Sequence, residues 1–234
     1  MNIGITDRIK PLISKIRELT ETKILPSEKI FFEELKNSKN RFSYTPKMLE
    51  LLNNLKNQAK SQNLWNFWSN SSNFGYGLST VEYAYLAEEM GKSKLGAEVF
   101  NCSAPDTGNM EVFIKFGSEN HKKKWLNPLL NGEIRSSYCM SEPNVASSDA
   151  TNMSLSAKKE GDNYILNGEK WWISGAGDPR CKVYIVMAKT GNNDLPKHSR
   201  HSMFVVDANA KGIKILRPME VFGHDDAPHG HMHI

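Results

Sequence analysis

Two short stretches in the second half of the chain carry residue types that could bind a ligand. Residues 138–150 (YCMSEPNVASSDA) lack both a helical period and strict alternation, and combine an aromatic ring with several hydroxyls and carboxylates. Pro143 fixes its own backbone angle and keeps Glu142 extended. Backbone N–H groups and short hydroxyls are therefore left to bind something other than their own chain. Residues 168–175 (GEKWWISG) add two tryptophans and another hydroxyl. A flat, electron-rich ring or a phosphate would suit such donors.

Helical patterns dominate the sequence that precedes these stretches. Apolar residues between 5 and 25 recur at helical spacing, and Pro26 is expected to stop or sharply bend that helix. Thr45 followed by Pro46 predicts the start of a helix that turns Leu49, Leu52, Leu55 and Ala59 inward. Ser79 and Glu82 have the spacing of a capping box, and Gly91 is expected to end that helix. Further helices are predicted over residues 104–116 and 118–130.

The period changes after Gly132 to one that is typical of strands. Residues 153–157 alternate between apolar and polar side chains, and a turn is predicted at Gly161 and Asp162. Asn167 followed by Gly168 predicts a hairpin that joins residues 164–166 to residues 169–174. Further strands are predicted over residues 182–188, 202–206 and 212–216. We therefore predict an α+β protein: an all-helical domain over residues 1–134, followed by an antiparallel β-barrel or sandwich domain over residues 135–234.

Composition and charge exclude several classes of protein. Hydrophobic residues make up 39% of the 234-residue chain, and no apolar run is long enough to cross a bilayer. The formal net charge of +4, spread over 234 residues, is too small to indicate a nucleic-acid-binding surface. The three cysteines, Cys102, Cys139 and Cys181, have no metal or redox spacing, which favours a reduced intracellular compartment. With no targeting signal evident, the cytoplasm is slightly favoured, and mitochondrion and peroxisome stay open.

The two candidate stretches resemble the flavin signature of the acyl-CoA dehydrogenase family. That family usually has Thr-Glu-Pro where this chain has Ser-Glu-Pro, and Trp-Ile-Thr where this chain has Trp-Ile-Ser. Residues 79–93, 104–117 and 124–132 also look like the helical domain that precedes the signature, in the same order. The chain is most similar to a long-chain subgroup that is often fused to a phosphotransferase-like domain. The sequences that carry this similarity are APDTGNMEV, NVASS and WWISGAGDPRC.

The resemblance implies FAD as the cofactor and assigns roles to several residues. Tyr138, Met140 and Ser141 would lie along the isoalloxazine ring, with donors at the edge where negative charge gathers on reduction. Ser174 would hydrogen-bond near the nitrogen that receives hydride, and Trp172, beside Ile173, would pack against the ring. Ser147 would face the pyrophosphate, and Ser148 would lie near the thioester substrate. The loop is one residue longer than the family's common form, so the division of roles between Ser147 and Ser148 stays open.

Both signature threonines of the family are replaced here by Ser141 and Ser174. The substitution keeps the hydroxyl and removes the methyl group that stiffens the side chain. We therefore expect looser positioning of the hydroxyls, with cofactor binding retained. Glu142 is interpreted as a structural carboxylate of the turn rather than a proton acceptor.

The resemblance also implies the reaction and its partners. Family members remove the α-proton and the β-hydride of a fatty acyl-CoA, pass electrons to an electron-transferring flavoprotein, take part in β-oxidation and assemble as homo-oligomers. Their catalytic carboxylate lies in a further helical bundle, which we expect beyond residue 234. This chain alone is thus expected to hold flavin weakly and not to oxidise a thioester. The alternatives are a non-catalytic interaction partner and a flavoenzyme that reduces oxygen instead.

Three histidines near the end of the sequence alternate. His229, His231 and His233 would lie on one face of a strand, which is suitable geometry for a metal. Neither a fourth ligand nor supporting residues can be identified. We therefore interpret the histidines as part of a strand edge and predict no metal site.

Overall fold

The computed structural model describes residues 3–38, 43–220 and 230–234. It divides into two compact units, residues 1–132 and 133–234. The first is helical and the second is built from strands, which confirms the predicted order of a helical domain and a β domain. In the described ranges, no helix is long and apolar enough to span a membrane.

The first unit is a set of helices around one apolar core. Its members are α1 (Lys10–Leu19), α2 (Leu25–Asn37), α3 (Pro46–Ser61), α4 (Thr80–Met90), α5 (Gly96–Val99), α6 (Asp106–Phe116), α7 (Glu119–His121) and α8 (Asn127–Leu130). Two π-helical segments, Thr20–Ile24 and Lys122–Leu126, join α1 to α2 and α7 to α8. Fully buried side chains from several helices, among them Ile16, Leu52 and Leu86, meet in the core.

Two predicted helix starts are confirmed by their capping hydrogen bonds. The Thr45 hydroxyl accepts the backbone N–H of Met48 at the start of α3. At the start of α4, the Ser79 hydroxyl accepts the N–H of Glu82, whose carboxylate accepts the Ser79 N–H in return. Each bond satisfies a backbone N–H that has no acceptor within the helix.

Two predictions for the helical unit are corrected. Of the two outcomes expected at Pro26, the end of the first helix is wrong, because Pro26 lies in the first turn of α2, directly after the π-helical segment; a sharp bend there stays a prediction. The wider π turn before Pro26 accommodates this proline, which cannot donate a backbone hydrogen bond. Leu49 is exposed, and Met48 takes the inward position on α3 instead.

The second unit holds two sheets. Its strands are β1 (Arg135–Cys139), β2 (Ser156–Glu160), β3 (Asn163–Asn167), β4 (Ile173–Ser174), β5 (Cys181–Lys189), β6 (His201–Asp207), β7 (Arg217–Met219) and β8 (His231–His233). One sheet has the order β1-β5-β2-β3 with β6 paired to β5, and the other has the order β4-β8-β7. Most pairings are antiparallel, but β1 and β2 each run parallel to β5.

The turn at Gly161 and Asp162 is confirmed, since it joins β2 to β3. The hairpin predicted at Asn167 and Gly168 is wrong, because β4 pairs with β8 instead of returning along β3. Gly168 has a φ of +148°, and a Cβ there would lie 2.9 Å from Leu155 Cγ. Glycine is needed at this position because two chain segments approach each other closely, and not because a two-residue turn requires it.

Two further strand assignments changed. The strand predicted over residues 212–216 is wrong, because pairing begins at Arg217. β1 was not predicted, because its fully buried Ser136 and Ser137 are polar and interrupt the apolar pattern that is expected of a core strand.

Candidate functional site

The loop that follows β1 folds around its own carboxylate and hydroxyl. The backbone N–H of Glu142 donates to Ser147 Oγ at 2.7 Å. The Glu142 carboxylate in turn accepts the Ser154 N–H and hydroxyl, both at 2.7 Å, and the Leu155 N–H at 2.9 Å. With its side chain only 2% exposed, Glu142 is the structural carboxylate that was predicted.

Lys170 connects this loop to the second candidate stretch. Its Nζ donates to the Glu142 carboxylate at 2.9 Å and to the Met140 carbonyl oxygen at 2.8 Å. Both charged side chains are 2% exposed, so the ion pair is fully removed from water. The Lys170 backbone also exchanges two hydrogen bonds with Ile234, at 2.9 and 2.8 Å. One residue thus fixes three chain segments relative to each other.

Hydrogen bonds bring the two candidate stretches side by side. The Trp171 N–H donates to the Ser141 carbonyl oxygen at 3.0 Å. The Ser137 hydroxyl donates to the Ser174 carbonyl oxygen at 2.9 Å. The expectation that the stretches are close in the fold is therefore confirmed.

Trp172 has an unusual backbone conformation with a φ of +56°. A bulky residue rarely adopts positive φ, so the surrounding hydrogen bonds must hold it there. Trp172 is 39% exposed, while the neighbouring Ile173 is buried in the β core. The chain therefore presents a flat aromatic side chain at the surface, next to the Ser174 hydroxyl.

The predicted site residues differ in exposure and in hydrogen bonding. Tyr138, Met140 and Ser141 are half-buried, and the Tyr138 hydroxyl lies 2.8 Å from Met187 Sδ. Ser147 is buried and already accepts one hydrogen bond, whereas Ser148 is exposed. Because the side chain of Ile173 packs in the core, only its backbone remains for a ligand. The binding roles assigned to these residues stay predictions.

The chemistry of this donor set fits a flavin. Hydroxyls from Ser141 and Ser174 and an exposed indole lie on two adjacent, hydrogen-bonded segments. A serine hydroxyl that accepts one hydrogen bond still has a proton to donate, so Ser147 keeps binding capacity. Flat heteroaromatic rings with polar edges are suited to an aromatic face flanked by short donors.

Sequence reasoning missed two residues of this region. Lys170 lies inside the motif GEKWW, and its buried position was not evident from the sequence. His231 lies 2.9 Å from Ser174 Oγ through its Nδ1 atom, and its ring meets the Trp172 ring at a centroid distance of 6.0 Å. The only signal for His231 was its place among alternating histidines.

His231 and His233 lie in β8, and His229 lies outside the described residues. His233 Nε2 is 3.0 Å from the exposed Glu169 carboxylate. Over the described part of the chain, no group of three histidine, cysteine, aspartate or glutamate residues could hold a metal.

An open cavity of about 630 Å³ lies in the second unit. Its wall combines core side chains such as Leu155 and Val186 with residues of β3 and β6. Among the described residues that line it, none belongs to the predicted site set. Its lining does include Cys139, Gly168 and Lys170, so the cavity adjoins the two candidate stretches without containing the predicted site residues.

The environment of Glu142 gives a pH prediction. Burial alone would raise the pKa of this carboxyl, but hydrogen bonds from Lys170, Ser154 and Leu155 outweigh it and hold the pKa below its usual value. The unfolded chain therefore binds a proton at a higher pH than the folded chain does. Stability from Glu142 is complete above about pH 5 and is lost as the pH falls through the folded pKa.

We expect the free energy of unfolding of the second unit to fall below about pH 5, and to fall less steeply in Glu142→Gln. Urea unfolding at a series of pH values measures both slopes. Asp162→Asn is the control, because Asp162 lies in the exposed turn between β2 and β3. A Glu142→Gln slope equal to that of wild type would contradict the assignment.

Comparisons with known proteins agree with this fold. Family models for the acyl-CoA dehydrogenase N-terminal domain and middle domain match residues 14–133 and 137–234. The chain is 46% identical over 225 residues to acyl-CoA dehydrogenase family member 11 of Homo sapiens, covering 96% of this chain and 28% of that protein.

Solved structures give the same result. A putative acyl-CoA dehydrogenase from Mycobacterium abscessus superposes with a TM-score of 0.90 at 42% identity, covering 98% of this chain and 57% of that one. An acyl-CoA dehydrogenase from Bacillus anthracis, solved in complex with FAD, shares the fold with a TM-score of 0.65 at 22% identity, covering 98% and 36%.

The order of a helical unit and a β unit matches the order of the N-terminal and middle domains of acyl-CoA dehydrogenases. The chain belongs to the acyl-CoA dehydrogenase family, which confirms the resemblance inferred from the signature. It spans less than a third of the length of the human relative.

Proposed function

We propose that the second unit binds FAD at the surface formed by the two signature segments. The observation that carries the proposal is the hydrogen bond from the Trp171 N–H to the Ser141 carbonyl oxygen, at 3.0 Å. It places the hydroxyls of Ser141 and Ser174 and the exposed Trp172 indole on adjacent segments. No single segment presents this combination.

Each residue has a role in this proposal. Ser141 and Ser174 hydrogen-bond the polar edges of the isoalloxazine ring, and Trp172 and Tyr138 restrict the access of water to it. Met140 lines the ring, Ile173 contributes its backbone, and Ser147 and Ser148 meet the pyrophosphate and the substrate end. Fixed donors at a charge-accumulating edge need no reorganisation during the reaction.

We propose that the protein to which this sequence belongs is an acyl-CoA dehydrogenase of fatty acid β-oxidation. FAD, when bound, would accept the hydride from the β-carbon of a fatty acyl-CoA while a carboxylate base removes the α-proton. An electron-transferring flavoprotein as electron acceptor and a homo-oligomeric assembly belong to the same proposal. Glu142 is not that base, because its carboxylate already accepts four hydrogen bonds in the protein interior.

Titration of the chain with FAD tests the cofactor proposal. We expect saturable binding, measured by quenching of flavin fluorescence, and a Kd that rises about two- to tenfold in Ser141→Ala or Ser174→Ala, since each loses one hydrogen bond. Ser156→Ala is the matched control, because Ser156 is an exposed serine of β2 that bonds to Asn167. Wild-type affinity in both site variants, or no binding by the wild type, would overturn the proposal.

A second experiment addresses the reaction. When the 234-residue chain is mixed anaerobically with FAD and saturated acyl-CoAs, we expect the flavin absorbance to persist, since no base is assigned within it. Prompt bleaching would mean that a carboxylate of this chain acts as the base. Oxygen consumption by the active protein would favour the oxidase alternative over the dehydrogenase.

The non-catalytic alternative has one observation in its favour. Apolar side chains of the second unit are exposed, among them Tyr164, Ile165, Ile215 and Leu216. Exposed apolar area is typical of a surface that another protein covers. Native mass measurement of the purified chain, with Ile165→Lys as the comparison, tests this candidate. A monomer with no bound protein in both samples would remove its support.

A further inference from the structure

His231 is held in a fixed position opposite Ser174. β8 runs antiparallel to β4 with Ser174 facing His231 and Ile173 facing Met232. Met232 is fully buried, and a Cβ added at Gly177 would lie 2.5 Å from its Cε. Because neighbouring side chains point to opposite faces of a strand, anchoring Met232 in the core directs His231 to the face of Ser174.

The imidazole of His231 controls the direction of the Ser174 hydroxyl. His231 Nδ1 lies 2.9 Å from Ser174 Oγ. If Nδ1 carries the proton, it donates to Ser174 and leaves the serine proton for a ligand. If Nδ1 is unprotonated, it accepts that proton and leaves serine lone pairs for a ligand donor. A serine side chain without such a partner would rotate among several positions.

The same imidazole contacts Trp172. The ring centroids are 6.0 Å apart and the planes meet at 63°, an edge-to-face arrangement. Such aromatic pairs prefer this geometry. The indole needs support from its surroundings, because its backbone has the disfavoured φ of +56°. His231 therefore contacts both Ser174, which is proposed to meet the flavin nitrogen, and Trp172, which is proposed to pack against the face of the flavin ring.

We propose that His231 is a positioning residue of the flavin site, which orients the Ser174 hydroxyl and supports the Trp172 indole against a bound heteroaromatic ring. The inference rests on the proposed function, since it assumes that Ser174 and Trp172 face FAD. It adds to the site a residue that lies far from both signature stretches in sequence.

The test compares His231→Leu with His231→Asn and uses His233→Leu as the matched control. Leucine removes the hydrogen bond, whereas the asparagine amide keeps a hydrogen-bonding group near the position of Nδ1. His233 lies on the same strand face but bonds to the exposed Glu169. We expect His231→Leu to weaken FAD binding about tenfold and to shift the absorbance and reduction potential of the bound flavin. His233→Leu should stay close to wild type, whereas His231→Asn should fall between wild type and His231→Leu, because it keeps a partner for Ser174 but loses the ring that contacts Trp172.

A measurement without flavin separates failure of this inference from failure of the proposed function. In the nitrogen NMR spectrum, Ser174→Ala should shift the Nδ1 resonance of His231, and an unchanged resonance would overturn the inference. Wild-type FAD affinity and flavin spectrum in His231→Leu would also overturn it. Absence of FAD binding by the unaltered chain would instead overturn the proposed function, and would appear in the wild type before any variant is made.

Discussion

Replacement of Lys170 by methionine is expected to lower the free energy of unfolding of the second unit by about 3–5 kcal/mol. Methionine fills a similar volume but removes the charge that faces the Glu142 carboxylate at 2.9 Å. Both side chains are 2% exposed, so water cannot take the place of the lost partner. The Met140 carbonyl oxygen loses a donor as well.

Urea unfolding followed by tryptophan fluorescence, together with hydrogen exchange at the β5 amides, measures this loss. Lys158→Met is the matched control, since Lys158 pairs with Glu160 at 3.3 Å on the exposed face of β2. Exposed pairs contribute about 0–1 kcal/mol, so the control should stay close to wild type. The double variant Lys170→Met/Glu142→Leu should recover part of the stability, because it leaves no unpaired buried charge. A loss below about 1 kcal/mol in Lys170→Met would contradict the assigned role.

Alanine at Gly96 is expected to destabilise the first unit by about 1–3 kcal/mol or more. A Cβ at this position would lie 2.1 Å from the Met90 carbonyl oxygen and 3.0 Å from the carbon of that carbonyl. These are backbone atoms at the end of α4, so they cannot move aside as a flexible side chain can. α5 would have to shift away from α4.

Gly108→Ala is the matched control and should have the opposite sign. Gly108 lies in α6, and among the described residues no heavy atom outside its chain neighbours and its own helix backbone lies within 4 Å of a Cβ built there. Alanine in a helix is favoured over glycine by about 0.5–1 kcal/mol, so this variant should be slightly more stable than wild type. Thermal unfolding of both variants measures the difference. Equal stability of the two would show that α5 can shift away from Met90 at little cost.

Local interactions were predictable because they join residues close in sequence. The caps formed by Thr45 and Ser79 each bond to a backbone N–H three residues on, so spacing alone reveals them. The turn at Gly161 and Asp162 was found for the same reason. The signature stretches were identified as candidates from their residue types and their order.

Long-range pairing decided the rest. Asn167 and Gly168 have the composition of a hairpin turn, yet the chain goes on to pair β4 with β8, because Gly168 packs against Leu155 and Lys170 bonds to Ile234. Short-range propensity carries no information about a partner strand that lies far along the chain.

The site shows the same division. The sequence by itself determined that hydroxyls and an aromatic pair occur in two segments, and that Glu142 belongs to a turn. Only the tertiary structure brought Lys170 into hydrogen-bond contact with Glu142 and His231 into contact with Ser174. These pairs are 28 and 57 residues apart in sequence. Burial makes the first contact strong and strand register fixes the second, and both are consequences of the folded sheets rather than of local sequence.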